Sequence, residues 1–237
     1  VRGRILIDIK PSSCKIINIM KKIIIISDFD GTITKKDSLV EILNKFASPE
    51  WHKIAKLITR GRLGTRIGLR KEFALCRITR REFVDFVVKN IEIDETFKNF
   101  LEFCEKNNLK LLVVSGGFTL NVKALFRKFN IKNVPYYANI ITFNKDRVKL
   151  KFPYKDRSCK TCSLCKAPYI RKFKKKGYFT VYIGDSVTDR CPGRIADLVF
   201  AKHDLARYCK AKGIAYITYN TFGQIKKLLK KRLDFLL

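Results

Sequence analysis

The chain has 237 residues, 46% hydrophobic and 12% aromatic, and carries 51 Lys and Arg against 21 Asp and Glu, a formal charge of +30. That apolar share excludes an intrinsically disordered chain, and the length suits one sizeable core with a smaller inserted unit. No segment is an uninterrupted apolar run of membrane length and residues 1–19 lack the apolar stretch of a secretory signal, so a cytoplasmic protein with no membrane partner is expected.

Residues 1–19 precede Met20, the single methionine, and read as an overextended start. A disordered tail or an edge strand over residues 4–9 are the alternatives. Ile23-Ile24-Ile25-Ile26 then reads as a central parallel strand covered on both faces, and it breaks into Ser27-Asp28-Phe29-Asp30-Gly31-Thr32. Ligands of open α/β sheets gather just beyond such carboxyl ends. Helical periodicity follows over residues 39–46, 51–57, 67–76, 80–88 and 96–104, with no strand pattern until residue 111. A single parallel crossover needs far fewer residues, so this interval predicts an inserted helical unit. A second strand, Leu111-Leu112-Val113-Val114, ends in Ser115-Gly116-Gly117. Another is expected near Tyr136, a short hairpin over residues 140–152, and a cysteine-rich loop after it. A further strand, Tyr178 to Ile183, ends in Gly184-Asp185-Ser186-Val187-Thr188-Asp189. Strands near Leu198 and Ala215 and an amphipathic stretch over 222–235 complete an α/β, doubly wound parallel sheet with an inserted α-helical cap.

The segment from Asp28 to Thr32 resembles the first motif of the haloacid dehalogenase-like hydrolases, whose members are mostly Mg²⁺-dependent phosphatases. Ser115-Gly116-Gly117 resembles their second motif and Gly184 to Asp189 their fourth, each after an apolar strand. The resemblance implies a core of residues 20–36 and 109–237, with residues 37–108 as a helical cap similar to that of the phosphoserine-phosphatase branch. It implies that Asp28 attacks phosphorus, that Asp30 serves as general acid and base, and that Mg²⁺ sits on Asp28, the Asp30 carbonyl and Asp185, with Asp189 supporting that shell. Ser115, Gly116 and Gly117 would bind the phosphate, and a lysine before the fourth motif would neutralise developing charge. Lys166 is the choice, because Pro168 suits the first turn of a following helix, and Lys160 is its rival.

Asp37 falls close to where phosphoserine phosphatases carry an acidic residue that contacts substrate, and capping the helix near Ser38 is an equal reading. Arg66 and Arg70 are candidates for a substrate anion or simple solvated charges. A narrower likeness, carried by Ala47-Ser48-Pro49-Glu50-Trp51, Val114-Ser115-Gly116-Gly117, the cysteine segment and Ile183 to Asp189 followed by Ala196-Asp197-Leu198, is to the hydroxy-keto-methylthiopentenyl-phosphate phosphatases of methionine salvage. Cys191-Pro192-Gly193 departs from the small helix formers expected there. The expected ligand is a small phosphorylated metabolite.

Cys159, Cys162 and Cys165 form a C-x₂-C-x₂-C array, in which three thiolates could hold structural Zn²⁺ with a fourth ligand from elsewhere; reduced thiols or a disulfide are the alternatives. Cys14, Cys76, Cys104, Cys191 and Cys209 read as scattered, mostly buried small residues. The excess positive charge raises nucleic-acid binding as a different class of function, but it is spread over the cap, residues 171–176 and residues 226–232 without a recognition signature.

Overall fold

The computed structural model describes residues 22–236, with side chains through residue 231. The expectations for residues 1–19, and for Cys14, lie outside the described residues. β1 (Ile23–Ser27) is central, because a run of β-branched side chains suits a strand buried on both faces. It pairs in parallel with β2 (Lys110–Phe118) on one side and β5 (Phe179–Gly184) on the other. β3 (Tyr136–Asn144), β4 (Arg147–Lys151), β6 (Leu198–Ala201) and β7 (Ile217–Thr218) extend the sheet to the order β4-β3-β2-β1-β5-β6-β7. Among the described strands only β4 is antiparallel, as the return arm of the expected hairpin.

The period-two alternation of strand side chains divides the core into two layers. Ile25, Val113, Val181 and Phe200 face one cluster, whereas Ile24, Ile26, Leu112 and Val199 face the other. The first layer is covered by α5 (Phe97–Lys106), α6 (Thr119–Lys128) and α10 (Phe222–Leu236). The second is covered by α7 (Ala167–Lys175) and α9 (His203–Ala211).

Between β1 and β2 the chain forms α1 (Ser38–Phe46), α2 (Trp51–Thr59), α3 (Thr65–Ala74), α4 (Arg80–Asn90) and α5. The way in and the way out run side by side: Lys35 N–H donates to Glu92 O and Asp94 N–H to Ile33 O, both at 2.9 Å. α1 to α4 lie beyond this crossing. α5, inside the interval expected to be cap, returns to the sheet, where Phe97 and Phe100 pack against Phe222 at ring-centroid distances of 4.8 and 5.1 Å. No helix among the described residues is long and apolar enough to cross a membrane.

One carboxylate ties the crossing to the C-terminal helix. Asp94 accepts from the Thr96 amide at 2.8 Å and from the Phe222 amide at 2.7 Å, so it satisfies a first-turn donor of α10 that has no partner within the helix. Asp94→Ala is expected to lower stability by about 2–3 kcal/mol, since it strands a buried amide. A urea midpoint equal to wild type would refute this tie.

Candidate active site

Three neighbouring strands, β2, β1 and β5, deliver their carboxyl ends to one place. Asp28 and Asp30 follow β1, Ser115 lies near the end of β2, and Asp185 follows β5. The β2–β3 register shifts between Val114 and Phe118, so Ser115-Gly116-Gly117 leaves the regular ladder. Gly31 has φ +73°, and a Cβ there would fall 2.5 Å from Asp185 Oδ2. A Cβ on Gly117 would fall 2.4 Å from Asp30 Oδ2. Glycine at these two positions lets three chain segments converge.

Lys166 and Asp189 are both fully buried. Lys166 Nζ lies 2.7 Å from Asp189 Oδ1 and 3.1 Å from Asp28 Oδ1, and it donates to Thr188 Oγ1 at 2.9 Å. Asp189 also accepts from Tyr182 OH at 2.5 Å and from the Asp185 and Ser186 amides, each at 2.9 Å. Its oxygens are thus occupied by the lysine and by the turn that carries Asp185. Asp185 accepts from Thr32 Oγ1 at 2.9 Å. Asp30 accepts from Ser38 Oγ and, at 3.0 Å, from Ser115 Oγ, which itself accepts from the Gly117 amide at 2.9 Å. Asn121 of α6 donates to Ser38 Oγ at 2.6 Å and completes that chain.

The electrostatics follow from burying four carboxylates around one ammonium. Burial, then repulsion from Asp189, pushes Asp28 well above the ordinary carboxylate range. Burial likewise raises Asp30 against its serine hydrogen bonds, and burial with Asp189 pushes Asp185 up to about 8. Asp189 goes the other way: burial would raise it, but Lys166 holds it below its usual value. Lys166 is raised, because its two carboxylate partners outweigh its desolvation.

These residues fit a hard divalent cation. Carboxylate oxygens of Asp28, Asp185 and Asp189 lie within 4.8 Å of one another. Asp28 Oδ1 is buried and accepts no hydrogen bond, despite its proximity to Lys166. An all-oxygen donor set with surplus negative charge suits Mg²⁺.

Beside the carboxylates opens a cavity of about 200 Å³ lined by Leu39, Leu43, Trp51, Ile58 and Leu69, where Asp37 and Glu72 join Asp28 and Asp30 as its acidic members. No Lys or Arg among the described residues lines it. Asp37 caps α1, accepting from the Leu39 and Val40 amides at 2.8 and 3.2 Å, and also borders the cavity, so its two alternative readings coexist. Arg66 and Arg70 point elsewhere: Arg66 donates to Cys159 O at 3.3 Å, and Arg70 lies over the Phe152 ring. Lys160 is exposed.

Several participants escaped sequence reasoning. Glu72 left a trace, an acid on the apolar stripe of α3 beside Leu69 and Phe73. Cys191 left another, as the departure after Asp189; its Sγ joins those of Cys159, Cys162 and Cys165 within 4.8 Å. Ser38, Asn121 and Tyr182 left none, because a polar side chain next to an apolar pattern has many ordinary uses.

Comparison with known proteins agrees with this architecture. Residues 25–192 match the family model of haloacid dehalogenase-like hydrolases. The chain is 33% identical over 214 residues to the 2-hydroxy-3-keto-5-methylthiopentenyl-1-phosphate phosphatase of Brevibacillus brevis, covering 89% of this chain and 96% of that one. It is 35% identical over 210 residues to the protein of the same name from Bacillus mycoides, covering 87% and 95%. Among solved structures it resembles a phosphoserine phosphatase with a phospho-aspartyl intermediate analogue, with TM-score 0.67, 23% identity and coverage of 88% and 99%. A substrate-bound phosphoserine phosphatase complex gives TM-score 0.66 at 24% identity, covering 88% and 98%.

Glu72 gives a stability test. Burial, then Asp37, pushes it up to about 7 from an unfolded value near 4.5. The folded chain therefore holds the proton more tightly, and the stability present below pH 4.5 is lost as pH rises to about 7. Glu72→Gln should remove that slope and exceed wild type at pH 8 by on the order of 2 kcal/mol, a figure discounted for partial solvation. Parallel pH profiles in metal-free denaturant titrations would refute it.

Proposed function

The chain belongs to the haloacid dehalogenase-like hydrolases, and from that membership and the site geometry we propose that it is a Mg²⁺-dependent phosphatase working through an aspartyl-phosphate on Asp28. The observation that carries the reading is the convergence of Asp28, Asp30, Ser115, Lys166 and Asp185 at adjoining strand ends.

Asp28 attacks phosphorus as the ester P–O bond breaks, and Asp30 gives its proton to the departing alkoxide. Asp30, now ionised, then takes a proton from water, whose oxygen attacks the phospho-aspartate and frees inorganic phosphate and the Asp28 carboxylate. The raised Asp30 suits a carboxyl that must be protonated in the first step. Serine hydrogen bonds on both its oxygens hold it in one orientation. Lys166 faces Asp28 with a fixed positive charge, and Asp189 positions that lysine rather than serving as a direct metal ligand. The Gly116 amide would receive a phosphoryl oxygen, joined by Ser115 Oγ once its hydroxyl turns from Asp30 to the phosphate, while the Gly117 amide holds that Oγ in place. Asp28, Asp185 and the Asp30 carbonyl would hold Mg²⁺, which supplies charge neutralisation for the phosphate.

The cavity favours a neutral, apolar leaving group. A phosphoserine carboxylate would find no cation on the lining, where Asp37 and Glu72 could meet only its ammonium. A 2-hydroxy-3-keto-5-methylthiopentenyl phosphate, the compound in the relatives' name, offers a hydroxyl to an acidic acceptor and a thioether to Leu43, Trp51 and Leu69. That compound, or a close neutral analogue, is the proposed substrate, which gives the enzyme a place in methionine salvage.

Phosphate release from a panel of small esters, with and without Mg²⁺, tests both levels. Turnover should require Mg²⁺ and fall about 10⁴-fold in Asp28→Asn. Asp30→Asn should cost about 10²–10⁴-fold. The thioether ester should exceed phosphoserine in kcat/KM by at least about 10²-fold, because a buried charge would otherwise be unpaired. Phosphoserine as the better substrate would overturn the specificity, and no Mg²⁺-dependent turnover of any ester would overturn the activity.

A further inference from the structure

The four clustered cysteines have no part in phosphate chemistry, yet they come from the two segments on which that chemistry depends. Cys159, Cys162 and Cys165 lie in the connection between β4 and α7, residues 152–166, which has no helix or strand of its own. Cys191 lies in α8 (Arg190–Gly193), two positions after Asp189. All seven cysteines among the described residues are unpaired thiols. The four Sγ atoms lie within 4.8 Å of one another, compatible with a tetrahedron whose edge is about 3.8 Å for a metal–sulfur bond of about 2.3 Å.

The surroundings are those of a built site. Cys162 and Cys165 are buried with Ala167, and Ile195 closes one side. The Cys162 amide donates to Cys159 Sγ at 3.5 Å, the kind of N–H···S contact that stabilises a thiolate. Arg190 and Arg194 border the same recess as Cys162 and Cys191, and Arg66 holds the Cys159 carbonyl. Four thiolates around a divalent ion would leave two negative charges, and the positively charged Arg190 and Arg194 stand on the same recess.

We propose that Cys159, Cys162, Cys165 and Cys191 hold one Zn²⁺ in a four-thiolate site that clamps the Lys166 loop to the turn carrying Asp185 and Asp189. Binding releases the thiol protons to solvent and changes no oxidation state. Cys165 directly precedes Lys166 and Cys191 follows Asp189, so the ion spans the two segments joined by the 2.7 Å Lys166–Asp189 contact. A long connection without a core of its own gains a fixed end, and the lysine gains a fixed origin. Cys191, the first residue of the Cys191-Pro192-Gly193 departure after the acidic motif, gains a use on this reading.

The test uses the full chain. Protein purified from zinc-supplemented culture is dialysed against a chelator, its metal content measured, and the ion exchanged for Co²⁺. One retained zinc per chain is expected, with the intense visible bands and thiolate-to-cobalt charge-transfer absorption of a tetrahedral tetrathiolate centre. Cys191→Ser and Cys159→Ser should each weaken the charge-transfer band. Resting on the reading of Lys166 above, Cys191→Ser should also lower kcat about tenfold with little change in KM, a positioning effect. Chelated wild type with no zinc and four reactive thiols, disulfides among these cysteines by mass spectrometry, or a cobalt spectrum indifferent to both substitutions would each overturn the site. Metal content and cobalt spectrum are read whether or not any ester is hydrolysed, so failure of this site and failure of the phosphatase reading are separable.

Discussion

The contact between Lys166 and Asp189 is the constraint around which the rest of the site is arranged. Both groups are fully removed from solvent, and a charge so placed is tolerable only with a partner and a full set of hydrogen bonds. Asp189 has that set from Lys166, Tyr182 and two backbone amides, and it alone of the four clustered aspartates is held below its ordinary pKa. The other three are raised by burial, so the fold gathers carboxyl groups whose ionised forms call for a compensating cation. Paying for that concentration falls to the surrounding core, whose strands are apolar on both faces.

Parallel topology makes the concentration geometrically feasible. In a sheet whose central strands run the same way, their carboxyl ends share one edge, and side chains distant in sequence become neighbours. The segments after β1 and β5 bring Asp28 and Asp185 together, and β2 brings Ser115 to Asp30. Glycines at the turns keep the backbones close enough for these contacts: a methyl group at Gly31 or Gly117 would occupy carboxylate space.

The cavity and the carboxylate cluster are built from different elements. The apolar cavity walls come from α1, α2 and α3, whereas the carboxylates belong to strand ends. Asp37 and Glu72 stand in that wall, and no Lys or Arg among the described residues lines the cavity. The cap and the cysteine loop also meet directly. Thr65, at the start of α3, donates its amide to Thr161 O at 2.6 Å and accepts from the Ser163 amide at 2.7 Å, so the substrate wall and the lysine loop are mechanically joined.

Local chemistry in the chain determined the elements. Isoleucine runs, helical periodicity and glycine after acid made β1, the five helices after it, β2 and β5 legible, because hydrophobic period and turn residues act over a few positions. The residue types of Asp28, Asp30, Ser115, Lys166 and Asp185 were legible for the same reason, each lying at the end of a recognisable apolar segment or beside a helix-starting proline. Only the tertiary structure decided that Asp189 pairs with the lysine, that α5 belongs with the sheet, that Glu72 lines the cavity beside the carboxylates and that Cys191 joins the cysteine cluster. Those outcomes depend on which distant segments the sheet order makes adjacent, and no local pattern encodes adjacency across a fold.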